Sequence, residues 1–66
     1  MIDVRELRGI IAKEGLSQTK VAKHIGITPK TFYLKMQIGI FGSDEIEKMI
    51  SLLNIKDPVS IFFASR

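Results

Sequence analysis

The chain of 66 residues has no cysteine, no tryptophan and one histidine. Without cysteine it can form neither a disulfide nor a thiolate metal site, and the lone His24 argues against a histidine-based metal cluster. The same shortage leaves few groups for nucleophilic or acid–base catalysis. We therefore predict that the chain is not an enzyme and has no catalytic residues, metal site, cofactor or small-molecule substrate.

Long apolar runs are also missing. None approaches the roughly 18 residues that would span a bilayer, and the N-terminus shows no secretory signal. We therefore expect no membrane partner and a cytoplasmic location. The hydrophobic share of 45% favours a compact core instead, and a chain of 66 residues predicts one small domain over 1–66.

Carboxylates are absent from the middle of the chain. Residues 15–43 contain four lysines and no acidic residue, a charge of +4, at positions Lys20, Lys23, Lys30 and Lys35. Residues 1–14 sum to 0 and residues 44–66 to −1, so the net charge of +3 comes from the middle third. A one-sided positive surface favours a polyanionic partner such as DNA, although a merely solvated face remains an alternative.

Capping residues and glycines divide the chain into five predicted helices. The predicted N-caps are Asp3, Ser17, Thr28, Ser43 and Asp57. Gly15 and Gly26 are predicted to end the first two helices, and Asn54 the fourth. The second helix is predicted over 18–25, the third from 29 to 36 or 37, and the fifth over 59–63.

No segment of useful length alternates with the period of two that a half-buried strand requires, so the predicted fold class is all-α. The loop between Gly39 and Gly42 is expected to place Ile40 and Phe41 in the core. Adjacent Phe62 and Phe63 differ by about 100° on a helix, so one is predicted to be buried and the other exposed as a dimer contact. The residues leave open which of the two is which, and both are dimer-interface candidates. The alternative is that both belong to the core on a short, irregular terminal segment.

The connection between the second and third helices is short, consisting of Gly26, Ile27 and the cap Thr28. Such a turn predicts two helices that cross steeply, as in a helix-turn-helix over about 17–37. A small residue, Ala22, stands at the expected crossing. At about 100° per residue, Phe32 and Met36 face the core. The opposite face is then formed by Lys30, Tyr33, Leu34 and Gln37.

The segment LSQTKVAKHIGITPKTFYLKM resembles the helix-turn-helix of the Cro/repressor (Xre-like) DNA-binding domains of phages and prophages. The matching positions are Leu16, Ser17, Gln18, Val21, Ala22, Ile25, Gly26, Ile27 and Phe32. The tail, SDEIEKMISLLNI followed by DPVSIFFA, is similar to the last helices of small prophage regulators. The chain departs from the family pattern at Lys35, where many members have an apolar residue.

The resemblance implies a compact, five-helix, lambda-repressor-like domain whose third helix reads double-stranded operator DNA. It assigns base contacts to Thr28, Lys30, Tyr33 and Leu34, and backbone contacts to Gln18, Thr31, Lys35 and Gln37. It also implies a cytoplasmic, nucleoid-associated repressor that is a homodimer at least on DNA. In a chain this short we expect no separate oligomerisation domain, which favours a Cro-like protein.

A second hypothesis is a protein-interaction module, such as an anti-repressor or an antitoxin-like partner. In that case Tyr33, Leu34 and one terminal phenylalanine would form an apolar surface that binds another protein. Retardation of DNA in a gel at low salt distinguishes the two hypotheses.

Overall fold

The computed structural model describes residues 2–63, and every regular element in that range is an α-helix. The five helices are α1 (Val4–Lys13), α2 (Gln18–Ile25), α3 (Pro29–Ile38), α4 (Ser43–Leu52) and α5 (Pro58–Phe62). The predicted all-α class is therefore confirmed. The bounds of α2 agree with the prediction, α3 continues one or two residues further, and α5 begins and ends one residue earlier.

Side-chain caps explain where four of the helices begin. The first free N–H groups of a helix lack an internal acceptor, and a capping oxygen supplies one. The N–H of Lys20 donates to Ser17 Oγ at 3.2 Å, and the N–H of Thr31 donates to Thr28 Oγ1 at 3.2 Å. The carboxylates of Asp3 and Asp57 accept in the same way at the starts of α1 and α5. These four predicted caps are confirmed.

The start of α4 differs from the prediction. Gly42 is the N-cap and Ser43 is the first helical residue. Glu45 performs the capping, because its Oε1 accepts the N–H of Gly42 at 2.8 Å. A glutamate at the third helical position can reach back to the cap in this way, so α4 begins without a capping side chain at Gly42.

The helices surround one apolar core to which each of them contributes. Ala22 and Phe32 are fully buried at 0% exposure, and so is Met49 of α4. Phe41 packs on Phe32 with ring centroids 5.3 Å apart. The other buried apolar residues are Ile2, Leu7, Ile11, Val21, Ile25, Met36, Leu53, Ile55, Ile61 and Phe62.

The loop between α3 and α4 contains one wrong prediction. Ile40 is 66% exposed, whereas its neighbour Phe41 is buried as predicted. Successive side chains leave the backbone in different directions, so a loop this short turns one of the pair towards the core and the other away.

The two ends of the described range also meet. The N–H of Asp3 donates to the carbonyl of Ile61 at 2.7 Å and joins the start of α1 to α5.

Candidate nucleic-acid interface

The turn between α2 and α3 holds the two helices together. Gly26 has φ of 86°, a left-handed conformation that glycine adopts without strain, as predicted. The N–H of Ile27 donates back to the carbonyl of Ala22 at 3.0 Å. Ile27 is partly buried and packs against the core. The backbone and the core together therefore fix the start of α3 relative to α2.

One face of α3 is exposed along its length. Tyr33 and Leu34 are 49% and 50% exposed, and Lys30 and Gln37 are exposed too. Phe32 and Met36, on the other side of the helix, are buried. The division of α3 predicted from helical periodicity is therefore confirmed, and contact of this face with DNA stays a prediction.

Tyr33 is held by a residue that the sequence analysis did not identify. Its hydroxyl lies 3.1 Å from Thr19 Oγ1 of α2, within hydrogen-bond distance. The bond joins the outward face of α3 to the first turn of α2. No pattern in the sequence indicates it, because the two residues are 14 positions apart and meet through the packing of α2 on α3.

The hydroxyls of Thr28 and Thr31 form a local network at the start of α3. Thr28 Oγ1 accepts from the N–H of Thr31 and donates its own proton to Thr31 Oγ1 at 2.9 Å. The donor of Thr28 is therefore in use, and its methyl group is the part suited to a thymine methyl. The hydroxyl proton of Thr31 is the one that can be donated to a phosphate oxygen.

Lys35 has a partner inside the protein. Its ammonium donates to both carboxylate oxygens of Glu45, each at 2.7 Å, and so joins the last turn of α3 to the first turn of α4. The phosphate contact predicted for Lys35 remains untested, but its ammonium is already paired. No pattern in the sequence predicted this pairing, because the two residues are 10 positions apart and meet through the packing of α3 and α4.

Burial alone would raise the pKa of the Glu45 carboxyl, because a charged group loses hydration in the interior. The hydrogen bonds from Lys35 and from the Gly42 N–H, together with the charge of Lys35, outweigh that effect. The pKa of Glu45 therefore lies below its ordinary value. Glu45 is the one charged residue that is buried within residues 2–63.

The other three lysines of the middle segment are exposed to solvent, where an anionic partner can reach them. Lys20, Lys23 and Lys30 are exposed, and no salt bridge within the described range involves them. The first turns of α2 and α3 carry no acidic residue, whereas α1 and α4 do. The positive ends of the α2 and α3 dipoles therefore add to the lysine charge. Gln18 is the first residue of α2 and is partly exposed.

A separate apolar hollow of about 240 Å³ lies beside the C-terminal end of α3. We call its lining the apolar patch: Ile2, Gly39, Ile40, Phe41, Ile46, Phe62 and Phe63. Phe63 is 65% exposed, whereas Phe62 is 3% exposed. One buried and one exposed phenylalanine were predicted and are found. The ring of Phe62 belongs to the core and Phe63 is the exposed one of the two, and their part in a dimer stays a prediction.

Two further findings concern residues 2–63. They contain no group of three or more His, Asp or Glu side chains that could hold a metal ion. None of their helices is both long and apolar enough to cross a bilayer. Comparison of the chain with protein-family models, with curated proteins and with solved structures gave no match.

Proposed function

We propose that the chain is a sequence-specific DNA-binding regulator of transcription, a Cro-like repressor that inserts α3 into the major groove of an operator. The observation that carries the proposal is the exposed face of α3, which joins a cation, a phenol, an apolar side chain and an amide on a segment without carboxylates. A major groove about 12 Å wide accepts one helix whose outward side chains reach base edges.

The charge distribution supports the partner. Exposed Lys20 and Lys30 lie in the first turns of α2 and α3, which carry no acidic residue, and exposed Lys23 lies in the last turn of α2. Phosphates attract this surface whatever the sequence of the DNA, and the condensed counterions that they release make such binding depend on salt. This surface provides affinity and orientation rather than sequence recognition.

Sequence recognition is assigned to the middle of the face. Lys30 can donate to the O6 and N7 acceptors of guanine, and Leu34 can pack on a thymine methyl. Tyr33 is positioned by Thr19 to lie beside them. Gln18, Thr31 and Gln37 flank these residues and are suited to phosphate oxygens, which fix the orientation of α3 in the groove.

The proposed regulator acts as a homodimer on a two-fold symmetric operator. Two copies that meet at the apolar patch would bring the C-terminal ends of their α3 helices towards each other, because Gly39 and Ile40 belong to the patch. The exposed ring of Phe63 and the adjacent hollow let each copy insert a side chain into the other. Within residues 2–63, seven residues line the patch, against about 20–30 a side in a standard interface, so we expect pairing to be completed on DNA. A repressor of this kind acts in the cytoplasm, on the nucleoid.

The test is selection of bound sites from random duplex DNA by the purified protein, followed by gel retardation of the selected site. We expect a selected site with two-fold symmetry, and affinity that falls steeply as salt rises. The double variant Lys30→Ala, Tyr33→Ala should lose this binding. Lys56→Ala is the matched control, because Lys56 is an exposed lysine in the turn between α4 and α5. If the protein retards no DNA even at low salt, the proposal of a DNA-binding regulator is wrong and the protein-interaction module is favoured.

A further inference from the structure

We propose that Glu45 is a positioning residue of the DNA-binding face: it holds the last turn of α3 on α4 and withholds the charge of Lys35 from DNA. This inference rests on the proposed function. It names a residue outside α3 that limits how many phosphates the face contacts.

The geometry of the pair is the first support. Both carboxylate oxygens of Glu45 accept from Lys35 Nζ at 2.7 Å, and one of them also accepts the N–H of Gly42 at 2.8 Å. The side chains of Lys35 and Glu45 are 32% and 11% exposed. A charge-assisted pair that is this short and this shielded holds the lysine more firmly than an exposed pair does.

The position of Lys35 on the helix is the second support. At about 100° per residue, Lys35 lies about 140° around α3 from Lys30, whereas Leu34 and Gln37 lie within about 40° of Lys30. Lys35 therefore points to the flank of the helix, where α4 begins, and not to the centre of the exposed face. To reach a phosphate, the Lys35 ammonium would have to leave Glu45. The buried carboxylate of Glu45 would then lack its cation, which is costly.

The consequence is a count of charges. The middle segment has four lysines, and pairing with Glu45 neutralises one, so 4 − 1 = 3 remain for phosphates. The logarithm of the binding constant falls with the logarithm of the salt concentration, with a slope of about −0.9 for each phosphate contacted. A residue that only supports the fold leaves this slope unchanged, whereas a residue that withholds a lysine lowers its magnitude.

The experiment measures that slope for the full chain by fluorescence anisotropy, with a mixed-sequence DNA duplex as the probe and potassium chloride as the salt. Glu45→Gln keeps an acceptor for the Gly42 N–H but releases Lys35, so the magnitude of the slope should increase by about 0.9. The double variant Lys35→Met, Glu45→Gln removes a neutral pair and should have the slope of the wild type. Lys20→Gln is the control, because Lys20 is an exposed lysine of the first turn of α2 that is not assigned to base recognition, and it should lower the magnitude by about 0.9.

The outcomes distinguish a failure of the role proposed for Glu45 from a failure of the proposed DNA binding. An unchanged slope for Glu45→Gln, or a lower one for the double variant, overturns the role of Glu45 while the wild type still binds DNA. If the wild type does not bind the probe at low salt, the proposed function fails and this inference fails with it. Circular dichroism checks the helix content of every variant. Should Glu45→Gln unfold, Lys35→Met alone still decides: it keeps the bond from the Gly42 N–H to Glu45, and it leaves the slope unchanged unless Lys35 contacts a phosphate.

Discussion

Replacing Glu45 by alanine is expected to lower the free energy of unfolding by about 2 kcal/mol, because two interactions are lost together. Losing the bond from the Gly42 N–H leaves the start of α4 uncapped, which costs about 1 kcal/mol. The pair with Lys35 contributes about 1 kcal/mol, the upper end for exposed pairs, since the carboxylate is shielded while Lys35 keeps contact with water.

Urea denaturation followed by circular dichroism measures this difference. In a domain of this size, a loss of about 2 kcal/mol lowers the melting temperature by about 8–16 °C. Glu47→Ala is the matched control, because Glu47 is an exposed glutamate of the same helix and its loss should cost less than about 0.5 kcal/mol. Glu45→Gln keeps an acceptor for the Gly42 N–H, so it should lose only the part of the unfolding free energy that the pair with Lys35 contributes, about 1 kcal/mol.

Acid should remove the advantage of the wild type. The pKa of Glu45 is lowered in the folded protein, so its stabilisation is present above the pKa of the unfolded chain. That stabilisation is lost as the pH falls through the lower, folded pKa. The gap in unfolding free energy between wild type and Glu45→Gln should therefore be constant near neutral pH and close in acid. Equal losses for Glu45→Ala and Glu47→Ala at neutral pH would refute the reasoning.

Three further predictions concern the site, the dimer interface and the core. Tyr33→Phe and Thr19→Val each remove the hydrogen bond between α2 and α3, so we expect equal losses of operator affinity, below about 1.5 kcal/mol, in anisotropy titrations. A larger loss for Tyr33→Phe means that the tyrosine hydroxyl itself contacts DNA. With the selected operator present, Phe63→Ser should lower the fraction of duplex that carries two copies in sedimentation equilibrium. Val59→Ser, an equally exposed apolar residue that does not line the hollow, should not, and equal effects exclude the apolar patch as the interface. Ala22→Leu should cost about 1–3 kcal/mol in thermal unfolding by overpacking the core, and no loss would show space there.

The proposed interface combines two kinds of residue that the chain supplies separately. Under the proposal, lysines without acidic neighbours supply the charge that attracts any DNA, and the exposed face of α3 supplies the groups that would distinguish bases. The proposed role of the Lys35–Glu45 pair concerns both contributions. The pair removes one lysine charge from DNA binding, and it holds α3, which carries the exposed face, on α4. The salt slope and the selected site measure these contributions independently.

The helices and the exposed face of α3 can be predicted from local signals in the sequence. Ser17 and Thr28 start their helices and Gly26 ends one through bonds and backbone angles that involve residues no more than a few positions away, so these signals can be read locally. The burial of Phe32 and Met36 follows from the period of 3.6 residues in the same local way.

Contacts between side chains of different helices cannot be predicted in this local way. Lys35 and Glu45 are 10 positions apart, and their pairing depends on how α3 and α4 pack. The same holds for the bond between Thr19 and Tyr33, and for the choice of Phe63 rather than its neighbour as the exposed ring. A capping signal acts along one stretch of backbone, whereas these contacts depend on the distance between separate helices, which the whole core sets.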